Sequence, residues 1–339
     1  MTNPSKSLAP MQGHRIWVVI INYRTAQLTL DCLSALAAEQ QSIPLSVVVV
    51  DNASGDRSVE FLASEITARN WEDWISLQPL SINGGFSFGN NVAIRQALQS
   101  SAPPAYILLL NPDTVAQPGA IAALAEFLDA HPEVGIAGSR LEDPDGTPQY
   151  SAFRFPSFWN ELDQGIRLGV VSKLLLNQLI TLPLSDHPCP ADWLAGASLM
   201  VRREVFESVG LMDEAYFLYF EEVDFCRRAK QADWGCWYVP QSRVVHLVGQ
   251  SSGVTDTKKA PQRRPQYWFN SRRRYFLKHH GWIYSALTDL GWMTGFALWR
   301  MRRVLQQKPD PDPPHFLQDF LQNSVWVRNR LLQSKLSAK

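Results

Sequence analysis

The sequence predicts an α/β protein: a mixed, mostly parallel sheet flanked by helices, followed by a helical C-terminal extension. Three observations predict it. Continuous apolar, β-branched runs recur up to about residue 140, as in strands buried on both faces of a parallel sheet. Stretches with apolar residues at helical spacing separate them, so the connections are right-handed crossovers. From Thr255 onward the composition turns basic and aromatic.

In order, IWVVIINY from Ile16 reads as the first buried strand, and LTLDCLSALAAEQ as the first helix. LSVVVVDNASGD is a second strand ending in a turn of Asp, Asn, Ser and Gly. A helix over Ser58 to Ala68 and a weaker strand near Trp74 to Gln78 follow. NGGFSFGNNVAIRQAL is a glycine-bearing loop entering a helix, and AYILLLNPDT a strand ending on a carboxylate. PGAIAALAEFLDAH reads as a helix and VGIAGSRL as a strand. Beyond Gly146 the pattern loosens, and Phe153 to Leu184 mixes aromatics, prolines and helix-like runs. DWLAGASLMVRR reads as one strand, YFEEVDFCRRAKQ as a helix with an acidic first turn, and WGCWYVPQSRVVHLVGQSSG as two short strands. KPDPDPPHF is a proline-rich linker, and Phe316 to Leu336 is amphipathic. The expected organisation is a flexible tail over 1–14, a large α/β domain over 15–255 and the extension over 256–339.

Lys+Arg and Asp+Glu are both 32 among 339 residues, so no net charge draws the chain toward nucleic acid. Four cysteines, Cys32, Cys189, Cys226 and Cys236, are too sparse for a disulfide scaffold, and no C-x-x-C pair suggests a zinc cage. A reducing cytoplasm fits. The first residues lack the apolar segment of a secretory signal. Trp282 to Trp299 is the most apolar long stretch, but Asp289 interrupts it and Arg300, Arg302 and Arg303 follow. It reads as a surface-lying helix rather than a span.

Ligands of such sheets sit beyond the carboxyl ends of the strands. Asp51 and Asp113 both lie at such ends, which predicts one shared cleft. The end of the first strand reads NYRTAQ, without the glycines of a dinucleotide fingerprint, so an oxidoreductase is disfavoured. Asp51 suits either an Asx turn or hydrogen bonds to a nucleoside. Gly84, Gly85 and Gly89 let backbone approach a ligand ahead of a helix N-terminus. Asp113, stiffened by Pro112, offers a hard carboxylate to a divalent cation that could neutralise a diphosphate. Glu221, Glu222 and Asp224 crowd one helical turn beside the apolar FLYF, and a buried carboxylate cluster is costly without partners or work. Which of them faces the cleft is open at this level. His246 ends a strand, where a packed structural histidine is the ordinary reading.

Taken in order, VVVVDNASGD, NGGFSFGNN, LLLNPDT, the stretch Trp193 to Arg228 and HLVGQS resemble the family 2 glycosyltransferases, specifically the bacterial rhamnosyltransferase-like branch. The resemblance runs from Ile16 to about Gly281. It implies a GT-A fold and a metal-dependent, inverting transfer of a sugar from a nucleoside diphosphate to an acceptor hydroxyl. Asp51 would contact the nucleoside, with Asn22 and Tyr23 lining the base pocket. Asn83, Gly84 and Gly85 would lie near the ribose or diphosphate. Asn111 and Asp113 take the first and third positions of the DXD motif, Asp113 would hold Mg²⁺ or Mn²⁺, and His246 would be a further ligand. Trp193, Gly196 and Ala197 would border the acceptor pocket. The second acid of the family's ED pair, its catalytic base, maps onto Glu222.

Two departures follow. Asn111 replaces the first Asp of DXD, which puts more weight on Asp113. Glu222 replaces the commoner Asp, extending the carboxylate by one methylene, and Asp224 is the substitute base. The branch implies dTDP-rhamnose as donor and a glycan or lipid-linked acceptor in cell-surface polysaccharide synthesis. The altered motifs also suit a catalytically silent sugar-nucleotide-binding or scaffold protein. After Thr255, Lys258, Lys259, Arg263 and Arg264 are expected to reach donor phosphate. The extension suits either peripheral contact with the inner face of the cell membrane or a helical cap.

Overall fold

The computed structural model describes residues 16–247 and 261–328. Strand β1 (Ile16–Asn22) is buried along its whole length, with Ile16, Val18 and Ile20 facing one layer and Trp17, Val19 and Ile21 the other. That period of two is the pleat of a strand covered on both faces. Helix α1 (Ala26–Glu39) leads to β2 (Leu45–Asp51), which pairs with β1 in parallel from Ile16↔Leu45 to Asn22↔Asp51. Helix α2 (Ser58–Ala68) and β3 (Ile75–Pro79) extend the sheet on that side. Helix α3 (Phe86–Leu98) then carries the chain back to β4 (Tyr106–Leu110), on the opposite side of β1. The winding therefore reverses between β1 and β4. Such a switch leaves a crevice beyond the strand ends.

The chain continues through β5 (Thr114–Ala116), α4 (Ala120–Ala130), β6 (Val134–Glu142), β7 (Ala152–Phe153), α5 (Phe158–Ile166) and α6 (Gly169–Leu174). Next come β8 (Cys189–Pro190), β9 (Trp193–Leu194), β10 (Ser198–Arg202), α7 (Arg203–Val209), α8 (Glu221–Gln231) and β11 (Gly235–His246). Among the described residues the main sheet has nine strands, in the order β3-β2-β1-β4-β10-β6-β11-β5, with β8 beside β11. β10 lies antiparallel between β4 and β6, and β5 is antiparallel to β11; the sheet is otherwise mostly parallel. Helices α1, α2 and α4 cover one face through Leu33, Leu36, Leu62, Leu124 and Leu128. Helices α3, α7 and α8 cover the other through Ile94, Phe206 and Phe225.

Two local expectations change. DWLAGASLMVRR is not one strand: β9 pairs with β7 in a small separate sheet, β10 joins the main one, and Ala195 to Ala197 connect them, with Gly196 beside Glu222 and Phe86. The segment read as two short strands is the single strand β11, whose pairing with β6 shifts register between Val239 and Arg243. The four cysteines are free.

Helix α9 (Gln266–Leu305) turns at Gly281, whose φ of 75° is left-handed, and α10 (Phe316–Asn323) packs on its second half. The expected surface helix over Trp282 to Trp299 is that second half. It approaches α5 closely, since a Cβ on Gly165 would lie 2.6 Å from the Trp292 carbonyl and one on Gly295 would lie 2.9 Å from the Ile166 amide. Trp292 stacks on Phe320 at 3.9 Å. Asp289, the charge inside the apolar stretch, points inward and meets Arg272 at 2.6 Å, and Arg272 also pairs with Glu161 at 2.8 Å. The tail over 1–14, Lys258 and Lys259, and the amphipathic segment beyond Arg328 lie outside the described residues.

Arg272→Ala leaves two buried carboxylates facing each other without a cation. Breaking a buried ion pair from one side costs about 3–5 kcal/mol. The expected result is a clearly lowered denaturation midpoint in urea, and an unchanged midpoint would show the triad to be energetically idle.

Candidate active site

The crevice is built from the ends of β1 and β2. Asn22 Nδ2 donates to Asp51 Oδ2 at 2.7 Å. Ser54 donates through Oγ to the same oxygen at 2.6 Å and through its amide to Oδ1 at 3.0 Å. Both Asn22 and Asp51 are buried, so Asp51 fixes its own turn while it stands at the strand end. Tyr23 is exposed beside them, with the Arg24 guanidinium 5.1 Å from its ring centre. An open groove of about 870 Å³ continues outward from Arg24, lined also by Gln27, Asp56, Arg57 and Phe61.

The glycine loop is tied to this turn by amide hydrogen bonds. Asn83 Oδ1 accepts from the Gly85 amide and from Asn52 Nδ2, both at 3.0 Å, and Asn52 Nδ2 also reaches the Gly85 carbonyl at 3.1 Å. Gly85 has φ 88°, and a Cβ there would sit 2.2 Å from the Phe217 carbonyl oxygen. That same oxygen accepts from the Phe86 amide at 2.7 Å. Glycine is required here on both counts.

Phe217 belongs to the turn that enters α8. Tyr219 and Phe220, neither of them glycine, have φ of 70° and 69°. Such residues cost about 1–3 kcal/mol each and persist where neighbours over-determine them. The neighbours belong to α9: Ser271 Oγ donates to the Leu218 carbonyl at 3.0 Å, Tyr267 packs on Phe217 and Tyr219, and Tyr275 on Phe220.

The turn delivers three carboxylates into unlike surroundings. Asp224 is fully buried; burial would raise its pKa, but hydrogen bonds from His279 and Lys278 and the charges of Lys278 and Arg228 hold it well below the usual range. The contacts are 2.7 Å to His279 Nε2, 2.7 Å to Lys278 Nζ and 2.9 Å to Arg228 Nε. Among the described residues Glu222 has no such cations. Burial pushes its pKa up to about 7, against the opposing pull of the helix amides at Glu222 and Val223. Burial and the charge of Glu222 raise Glu221 well above the usual range. Each has an oxygen, Oε2, without a hydrogen-bond partner among the described residues. Glu222 lies beside Gly196, whose Cβ position is 3.8 Å from Glu222 Cβ.

The other wall comes from β4, β5 and β11. The Asn111 amide donates to the Ala197 carbonyl at 3.0 Å, joining the LLLNPDT turn to the Gly196 segment. Trp193 is half-buried, stacked on Phe153 at 4.2 Å, with Nε1 donating to the Arg154 carbonyl. Asp113 is buried, and the pairing of β11 with β5 brings His246 Nε2 to 3.7 Å from its Oδ1. Burial lowers the His246 pKa, which favours the neutral imidazole that a cation binds. Gln149 Oε1 lies 3.3 Å from the other ring nitrogen. A carboxylate and a neutral imidazole facing each other beyond hydrogen-bond range suit a shared divalent cation. Among the described residues no group of three His, Cys, Asp or Glu side chains gathers to hold one, so phosphate oxygens would complete the set.

Hydrogen bonds and close contacts thus link Asn22, Asp51, Asn83 and Gly85 to the turn before Glu222, and Glu222 through Gly196 and Ala197 to Asn111. Asn52, Ser54, Phe217 and Gln149 complete the framework. Asn52 and Ser54 sat in the DNAS turn; Phe217 acts through its carbonyl and Gln149 stands alone, so neither carried a sequence signal. Arg263, expected to reach donor phosphate, pairs with Asp319 at 2.6 Å. Arg264 lies over Trp268.

The sequence profile described as glycosyltransferase like family 2 matches residues 14–274. The N-acetylglucosaminyl-diphospho-decaprenol L-rhamnosyltransferase of Mycobacterium tuberculosis is 30% identical over 265 residues, covering 75% of this chain and 80% of that protein. The low-salt glycan biosynthesis hexosyltransferase Agl10 of Haloferax volcanii is 28% identical, covering 86% and 85%. The dTDP-rhamnosyl transferase RfbF of Shigella flexneri is 25% identical, covering 78% and 81%. Among solved structures, the Pyrobaculum calidifontis mannosyltransferase with GDP-Man and Mn²⁺ superposes with a TM-score of 0.53 at 16% identity, covering 88% of this chain and 76% of that one. GalNAc-T7 with UDP, GalNAc and Mn²⁺ gives 0.54 at 14% identity, covering 97% and 58%. These two bear on the fold, and they share the expected GT-A arrangement.

Gly85→Ala forces a side chain into left-handed backbone and onto the Phe217 carbonyl. A loss of at least about 1–3 kcal/mol is expected, with weakened nucleotide binding because the loop and the α8 turn must separate. Thermal unfolding and nucleotide titration of the variant test this; wild-type values in both would reject the close contact.

Proposed function

The chain belongs to glycosyltransferase family 2, and we propose that within it the protein is an inverting rhamnosyltransferase, moving rhamnose from dTDP-rhamnose onto a hydroxyl of a lipid-linked saccharide during cell-surface polysaccharide synthesis. The observation that carries the chemistry is Glu222: a carboxylate with no cationic partner among the described residues, poised near neutrality, beside Gly196. The donor and acceptor classes draw on the mycobacterial and Shigella relatives, an N-acetylglucosaminyl-diphospho-decaprenol L-rhamnosyltransferase and a dTDP-rhamnosyl transferase.

Asn22, Tyr23 and Asp51 receive the nucleoside, and the Asn83–Gly85 backbone approaches the ribose and diphosphate. Asn111, Ala197, Gly196 and Trp193 frame the space between donor and acceptor. Glu222 removes the proton from the acceptor hydroxyl as that oxygen attacks the anomeric carbon. The bond from that carbon to the diphosphate oxygen breaks on the opposite face, so the anomeric configuration inverts. General-base assistance of this kind contributes about 10²–10⁴-fold. Asp224 is occupied by Arg228, Lys278 and His279, which favours Glu222 over it as the base. Asp113 and His246 would hold Mg²⁺ or Mn²⁺, which when bound neutralises charge on the departing diphosphate.

Glu222→Gln is expected to cut turnover by about 10²–10⁴-fold while donor affinity stays near wild type. Full activity in that variant would remove Glu222 as the base. A base must be ionised to act, so wild-type turnover should fall as pH drops below about 7; a flat kcat profile through that region contradicts the assignment. Asp113→Ala should abolish the extra thermal stabilisation that Mn²⁺ gives to the dTDP complex, because only ligand bound to the native state raises its melting temperature. An Mn²⁺ response equal to wild type would place the cation elsewhere.

A further inference from the structure

The second half of α9 leaves one apolar face uncovered. Its inner side is packed, with Ala286, Trp292 and Phe296 buried against α5 and α10. Outward stand Ile283, Leu287, Leu290, Leu298, Met301 and Leu305, each about half exposed or more, with Ile283 at 72% and Leu305 at 83%. At 3.6 residues per turn these six fall within an arc of about 80° and run for about 33 Å. The charged residue between Trp282 and Trp299 is Asp289, which is turned inward onto Arg272. At one end exposed Trp282 and Trp326 meet edge to face at 5.3 Å. At the other, Arg300 and Arg303 pair with Asp310, Arg302 bonds the Ile166 and Arg167 carbonyls, and Lys308 is exposed, so that end keeps a net positive charge beside Asp310 and Asp312.

We propose that this face seats α9 in the headgroup region of an anionic lipid bilayer, with the helix lying in the membrane plane. Several observations select lipid over a second copy of the chain. A helix pair flanks its apolar seam with charged residues that set partner and register; here Gly291, Met293 and Ala297 flank most of the face, and the charge, Arg302, stands only near its basic end, bonded to the Ile166 and Arg167 carbonyls. An indole pair at one end and a cation cluster at the other are the anchors of an interfacial helix. The helix does not span: its inner half is occupied by protein, and among the described residues no helix is long and apolar enough to cross a membrane. The link to a lipid-borne acceptor rests on the function proposed above; the lipid contact stands on the helix itself.

The test is flotation of the full chain with phosphatidylglycerol-containing and with pure phosphatidylcholine vesicles, in the absence of substrates. Wild type is expected to float with the anionic vesicles, less so at high salt. Leu287→Glu with Leu290→Glu should lower that partitioning at least about tenfold, with an unchanged melting temperature and unchanged transfer to a water-soluble acceptor analogue. Arg300→Gln and Lys308→Gln should each lower it about fivefold on anionic vesicles. Absence of wild-type flotation overturns the proposal. So does a wild-type dimer, seen by light scattering, that the paired Glu substitutions convert to a monomer without changing flotation. Failure of transfer to every acceptor with flotation intact counts against the proposed function and leaves the lipid face standing.

Discussion

Two adjacent side-chain-bearing residues in left-handed backbone, Tyr219 and Phe220, set the direction in which α8 leaves its turn. Left to itself such a turn relaxes, because each residue loses about 1–3 kcal/mol by staying. It is held from two sides. The Gly85–Phe86 backbone presses on the Phe217 carbonyl from the donor side, and Tyr267, Ser271 and Tyr275 pack on it from α9. The glycine loop and the C-terminal helix therefore meet at the base of the proposed catalytic carboxylate. A change in either is felt at Glu222 without touching it.

The first turn of α8 also separates three chemically similar groups by environment. Acidic residues at a helix N-terminus are favoured by its dipole, but that term is small beside burial and neighbouring cations. Asp224 receives Arg228 from its own helix and Lys278 and His279 from α9, so it stays ionised and locks the two helices together. Glu221 receives burial and the charge of Glu222, and Glu222 receives burial against the helix amides. Groups whose surroundings push their pKa values apart are suited to different work: an anchor cannot readily take a proton near neutral pH, whereas a carboxylate near 7 can.

The strands and most helices were legible because burial on both faces of a parallel sheet leaves continuous apolar runs, as in IWVVIIN and LSVVVVD, and helix α2 was expected at its observed bounds. The break at Gly196 was not, since the apolar pattern of DWLAGASLMVRR continues through a segment that passes from the small β7–β9 sheet to the main one beside Glu222. β11 read as two strands because Pro240 and Gln241 interrupt the pattern where the pairing merely shifts register. At the site, spacing and residue type pointed to Asp51, Asp113 and the acidic turn. They did not separate Glu222 from Asp224, because Lys278 and His279 come from more than fifty residues away. Nor could they foresee Arg263 taken by Asp319, a pairing set by the docking of α10.

Helix α9 joins two duties that the composition presents as one basic, aromatic stretch. Before Gly281, Arg274 and Lys278 turn toward the large domain and bind Asp213, while Trp268, Phe269 and Arg273 meet α10. After Gly281 the buried Arg272–Asp289 pair ties the outer segment back to the inner one across the turn. The left-handed backbone at Gly281 has open space around it, so the change in direction arises from the chain itself rather than from a neighbour. The exposed apolar face of the outer half, proposed above to meet lipid, is thus connected, through an ion pair shielded from water and from salt, to the helix that supports the turn before Glu222. The height and tilt of the cleft above such a surface would be set by one helix and its single bend, and an acceptor carried in the bilayer would meet the base at a distance fixed by the fold.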